Sequence, residues 1–105
     1  MIKIRVWRRA DGTPTRLLMT GHANRGEYGS DIVCAAASAL VETLVMGLTQ
    51  VVGQAPSGTV DDGKADLTFV AGSSEARAVI DTVFVGLQDL ARTAPDAVSW
   101  QEFID

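Results

Sequence analysis

Apolar and polar positions alternate strictly over residues 2–8, IKIRVWR. Ile2, Ile4 and Val6 share one face, and Lys3, Arg5 and Trp7 the other. A period of two is that of a half-buried strand. Residues 10–14, ADGTP, hold an Asp11-Gly12 pair suited to a turn with a positive φ. Residues 15–20, TRLLMT, return as a second strand that ends at Gly21-His22, closing a hairpin. Residues 23–30, ANRGEYGS, have no period and contain Gly26 and Gly29, which predicts a loop. Ser30 or Asp31 is placed to cap a helix running to about Val52, by accepting hydrogen bonds from its first amides. Leu40, Leu44, Leu48 and Val51 form one apolar stripe on that helix, and Val33, Ala37, Val41 and Val45 a second. Two stripes predict burial on two sides, one against a sheet and the other against a second helix or a partner subunit.

Residues 53–58, GQAPSG, break the helix. Thr59-Val60 and residues 65–70 flank Asp61-Asp62-Gly63-Lys64, predicting a second hairpin with Leu67 and Phe69 on one face. Ser73 or Ser74 caps a second helix, on which Ala76, Val79, Ile80, Val83, Phe84, Leu87, Leu90 and Ala91 follow helical spacing. It stops near Thr93-Ala94-Pro95, and residues 98–103, VSWQEF, alternate as a last strand. The order β-β-α-β-β-α-β predicts an α+β sandwich, an antiparallel or mixed sheet with two helices packed on it. Met46, Phe69 and Phe84 are expected to fill its core.

A chain of 105 residues without repeats corresponds to a single domain, 1–105. The net charge of −4 argues against general affinity for nucleic acid. The basic residues Lys3, Arg5, Arg8, Arg9 and Arg16 nevertheless cluster early, against the single acid Asp11. They read as a solvated strand face guarding an edge; the sharper alternative is a patch that touches RNA. The long first helix carries Asp31, Ser38, Glu42, Thr43, Thr49 and Gln50, so a buried helix is expected rather than a membrane span. One cysteine excludes an internal disulfide and makes a reducing, cytoplasmic setting the default.

That cysteine, Cys34, and the only histidine, His22, lie on either side of the predicted loop. A thiol attacks a carbonyl as thiolate. The opening amides of a helix favour that form, as does a neighbouring imidazole that accepts the proton. With a cap at Ser30 or Asp31, Cys34 falls in the first turn, and its side chain leans back over those amides, which could also hold an oxyanion. His22 would act as base and then as acid. Asp31 could orient the imidazole or only cap the helix. Ser38, one turn beyond Cys34, could donate to thiolate or substrate, or back-bond to the helix. A lone cysteine on an apolar helix also reads as an inert core residue, and a lone histidine at a strand end as a satisfied polar side chain. Neither a metal nor another cofactor is expected: His22, Cys34 and Asp31 make a thin ligand set without a second histidine or a paired cysteine.

Gly21-His22-Ala23, a short loop, then Gly29-x-Asp31-Ile32-Val33-Cys34-Ala35-Ala36-x-Ser38-Ala39-Leu40 resembles the ribosomal-processing cysteine proteases, the Prp family. The resemblance covers the chain in length and element order. It implies a catalytic dyad of His22 and Cys34, with Asp31 and Ser38 in support and Gly21, Gly26 and Gly29 serving the loop that orders around substrate. It also implies a homodimer. The substrate would be the N-terminal extension of a large-subunit ribosomal protein, cut after an aromatic residue. Asn24-Arg25 departs from the family pattern within the loop. The alternative is a non-enzymatic, ribosome-associated module with an inert thiol, binding through Lys3, Arg5, Arg8 and Arg9.

Overall fold

The structure, a computed structural model, describes residues 1–22, 28–70 and 72–105, with the backbone alone for residues 28–31. The chain runs β1 (Ile2–Arg8), β2 (Pro14–Thr20), α1 (Tyr28–Met46), a π-helical segment (Gly47–Val52), β3 (Ser57–Asp61), β4 (Lys64–Thr68), α2 (Ser74–Thr93) and β5 (Val98–Ile104). The five strands form one sheet in the order β3-β4-β2-β1-β5. β1 and β5 are parallel neighbours, and the other pairs are antiparallel. The predicted α+β order and mixed sheet are therefore what the chain adopts.

Both helices pack on one face of the sheet, and the strand alternation decides which side chains meet them. Ile4, Val6 and Leu17 are fully enclosed, as are Val41, Leu44 and Leu87 from the helices. Each such side chain withdrawn from water contributes roughly 1.5–3 kcal/mol before conformational costs. α2 is fixed at its start by Ser73, whose Oγ accepts from the amide of Ala76 at 3.2 Å. Its buried side is Ala76, Ile80, Val83, Phe84 and Leu87, as the helical spacing predicts. The Phe84 ring meets Trp100 edge-on at 5.6 Å and Phe69 at 6.1 Å. The guanidinium of Arg8 lies 5.3 Å from the Phe84 centroid and pairs with Asp81 at 2.8 Å and Glu102 at 3.3 Å, joining β1, α2 and β5.

Several sequence expectations change. α1 begins at Tyr28, so Ser30 and Asp31 lie within the helix rather than capping it, and Gly29 is helical rather than the end of a loop. Gly26 lies outside the described residues. The buried seam of the first helix is Ala37, Val41, Leu44 and Leu48, cutting across the two predicted stripes. Its second side meets α2 within the same chain: at Gly86 an added Cβ would touch Leu40, and at Gly47 it would touch Val79. Val51 is 83% exposed because the chain winds as a π-helix after Met46, which turns later residues off the α-helical stripe. Met46 is 53% exposed and is not a core residue. The stretch Ile32–Val52 is long and apolar enough to cross a membrane, yet its buried seam is spent on the sheet and α2.

Candidate active site

β2 ends where the first hairpin approaches the second, and that meeting places His22. Gly21 turns the chain with φ +92, a left-handed conformation that glycine adopts without a Cβ penalty. A Cβ there would also run into the carbonyl oxygen of Met1. The amide of Gly21 donates to the carbonyl of Gly63 at 3.0 Å. The amine nitrogen of Met1 donates to the carbonyl of His22 at 2.8 Å. The histidine backbone is thus tied to the start of β1 and the tip of the β3–β4 hairpin. Gly21, expected to serve the loop and its substrate, has a structural task in this arrangement.

α1 brings Cys34 to the same place. Cys34, Ala37, Ser38, Val41 and Glu42 follow one another at i, i+3, i+4, i+7 and i+8, a single helix face, and all line one cavity of about 320 Å³. His22 lines the same cavity, as do Asp61, Asp62, Gly63 and Lys64 from the β3–β4 hairpin. Ile2, Met19 and Ala65 from the strands add apolar lining. His22 is exposed and Cys34 half-buried, so the cysteine is the more sheltered of the two. The side chain of Asp31 and the whole of Gly26 lie outside what the structure describes. Among the described residues no three metal-ligating side chains gather.

The helix start changes one part of the expected chemistry. Cys34 is the seventh residue of α1 and sits in its second turn, because the helix opens at Tyr28. Unpaired amides belong to the first four residues, and their field falls off within the first turn. Cys34 therefore stands outside the first turn, and its amide belongs to the helix ladder rather than to an oxyanion site.

Glu42, Asp61, Asp62 and Lys64 were not anticipated at the site. Glu42 was within reach of sequence reasoning, since it stands two helical turns from Cys34 on the face that Ser38 shares. The two aspartates were not. They occupy a hairpin turn, where Asp is favoured for backbone reasons alone. Three carboxylates and one ammonium give this cavity an acidic rim.

Residues 1–99 match the family Cysteine protease Prp. The chain is 34% identical over 93 residues to the ribosomal processing cysteine protease Prp of Staphylococcus aureus, across 86% of this chain and 88% of that protein. Among solved structures it is similar to the essential ribosomal processing protease Prp of S. aureus in complex with a covalently linked product peptide. The TM-score is 0.89 and the identity 30%, over 98% of this chain and 100% of that one. The same protease with a substrate peptide gives a TM-score of 0.89 at 29% identity, with the same coverage. SMU.848 from Streptococcus mutans gives a TM-score of 0.86 at 28% identity, over 100% of this chain and 96% of that one.

Proposed function

Since the chain belongs to the cysteine protease Prp family, we propose that His22 and Cys34 are its catalytic dyad and that it removes the N-terminal extension of a large-subunit ribosomal protein. It is a cysteine protease, and its substrate is a ribosomal protein. The observation that carries the dyad is the cavity itself: the chain's only imidazole and only thiol both line it.

The chemistry follows from those two groups. His22 takes the proton from Sγ of Cys34, and the thiolate attacks the carbonyl carbon of the scissile peptide. The tetrahedral intermediate collapses as the imidazolium returns that proton to the leaving amine, and a thioester remains on Cys34. Water, deprotonated by His22, hydrolyses the thioester and restores the thiol. With Cys34 outside the first turn of α1, proton transfer to His22 carries the activation of the sulfur. Ser38, exposed at the cavity and one turn beyond Cys34, donates to the peptide in this reading. Asp31 is a candidate to orient the imidazole. No cofactor takes part, and the setting is the cytoplasm.

The acidic rim of Glu42, Asp61 and Asp62 favours a substrate with positive charge near the cut. Self-association would cover Met46 and Val51, which stand exposed on the ridge formed by α1 and the π-helical segment. That reading makes the protein a homodimer, and sedimentation checks it: Met46→Lys should shift the protein toward monomer.

Incubation with the extended ribosomal protein, followed by intact mass, tests the activity. Wild type should release the leader in one cut. Cys34→Ala and His22→Ala should each lower the rate by about 10³-fold or more, with unchanged thermal melting. Intact substrate after incubation with wild type, with binding retained, would favour the module with an inert thiol.

A further inference from the structure

We infer that Gly63, at the tip of the β3–β4 hairpin, is a positioning residue for the imidazole of His22, which occupies the space a side chain at that position would need. This rests on the dyad reading for its consequence in catalysis but not for its geometry. A Cβ built on Gly63 would lie 2.5 Å from Nε2 of His22, 3.0 Å from Cε1 and 3.4 Å from Cδ2. The outer edge of the ring therefore abuts the hairpin tip. The two backbones are joined there as well, through the amide of Gly21 and the carbonyl of Gly63. The hairpin tip, from a different part of the chain, is thus a stop for the ring.

Adding a methyl group at Gly63 would force the ring to withdraw by roughly 1 Å to recover an ordinary contact. The ring is the end of a rotatable side chain, so it would swing rather than break the fold. Chemistry between imidazole and thiol does not tolerate that swing, since a misplacement of about 1 Å can cost about 10²-fold in rate.

Gly63 also has φ +77, which disfavours any side chain. The chain supplies its own control for that effect. Gly53, closing the π-helical segment, has φ +78, and nothing lies within 4 Å of its Cβ position. Alanine meets nearly the same positive φ at both sites, but only at Gly63 does it meet His22. Asparagine tolerates left-handed backbone better than alanine and still carries a Cβ, so it separates strain from contact.

The experiment compares Gly63→Ala, Gly63→Asn, Gly53→Ala and Gly53→Asn. The probe is a quenched fluorescent peptide spanning the leader junction of the extended ribosomal protein. The second readout is the Hε1 resonance of the chain's single histidine, recorded without peptide. Both Gly63 variants should lower kcat by about 10–100-fold with KM within about threefold, and both should move the Hε1 line. Both Gly53 variants should keep kcat within about twofold and leave the line in place. Wild-type activity in Gly63→Asn, an unmoved Hε1 line in Gly63→Ala, or an equal loss in Gly53→Ala would overturn the inference. A wild type that cuts no peptide would defeat the protease dyad instead, and the resonance would still decide whether Gly63 seats the ring.

Discussion

The two faces of the sheet are built from the same strands and do different work. The covered face takes every second residue, Ile2, Ile4 and Val6 from β1 and Leu17 from β2, into a shared core with the helices. At one end of that core the packing opens into the cavity that holds Cys34 and His22. Among the described residues no helix covers the other face, which solves a different problem, keeping a sheet surface ordered in water. It does so with a row of side chains across neighbouring strands. Phe103 stacks on Trp7 at 5.3 Å, the Arg16 guanidinium lies 4.9 Å from the Trp7 centroid, and Arg16 bonds to both carboxylate oxygens of Asp66. One face is held by exclusion of water and the other by paired charges and a stacked ring. The proposed dyad lies where the covered core opens into that cavity, with Cys34 half-buried. The early basic cluster is divided between the two faces: Arg8 is tied down by acids on the covered side, and Arg16 is tied down on the open side.

The largest difference between the faces should appear in stability. Phe84 is 1% exposed and touches Phe69, Trp100 and the Arg8 guanidinium. Phe84→Ala should cost about 3–5 kcal/mol, measured by urea denaturation, because it removes a ring that three elements close around. A loss below about 1 kcal/mol would mean the covered face collapses freely onto the gap, and the contrast drawn here would fail.

A smaller effect belongs to Trp7. It is only half-buried, and its partners are one stacked ring and one guanidinium. Trp7→Ala should destabilise by about 1–2 kcal/mol and leave peptide cleavage unchanged at temperatures where the variant is folded. Cleavage that fell while the melting curve stayed put would assign the open face a part in catalysis or substrate binding, and would break the division of labour.

How much of this could be read in advance differs by element, for physical reasons. The strand faces were legible because a period of two leaves no choice of side once the core is known. α2 was legible because its cap, its stripe and its stop agree. The start of α1 was not. Ser and Asp are favoured at a cap, but an acid is also favoured in a first turn, where it faces the positive end of the helix dipole. Asp31 fits both and Ser30 only the first, and the structure has both inside the helix. His22 and Cys34 were conspicuous as the only members of their types. The hairpin's part of the lining was hidden, because Asp61, Asp62 and Gly63 look like turn residues and become site residues only when β3–β4 is docked beside the end of β2. The outward turn of Val51 depended on a change of helical winding that no apolar pattern announces.

The smallest effect sharpens the comparison from the open side. Arg16 holds the Asp66 carboxyl below its ordinary value by direct hydrogen bonding, with burial opposing. A carboxyl whose folded value is depressed favours the folded state at pH above its unfolded value of 3.8. That contribution is lost as the pH falls through the lower, folded value. Both partners are about one-third or more exposed, so solvent screens the pair and its worth should be about 0.2–1 kcal/mol. Asp66→Asn should therefore melt slightly below wild type at pH 7, with the gap closing as the pH is taken below the ordinary aspartate range and shrinking in high salt. A gap that persisted undiminished in acid would mean that Asp66 acts through packing, and the open face would then resemble the covered one more than its paired charges imply.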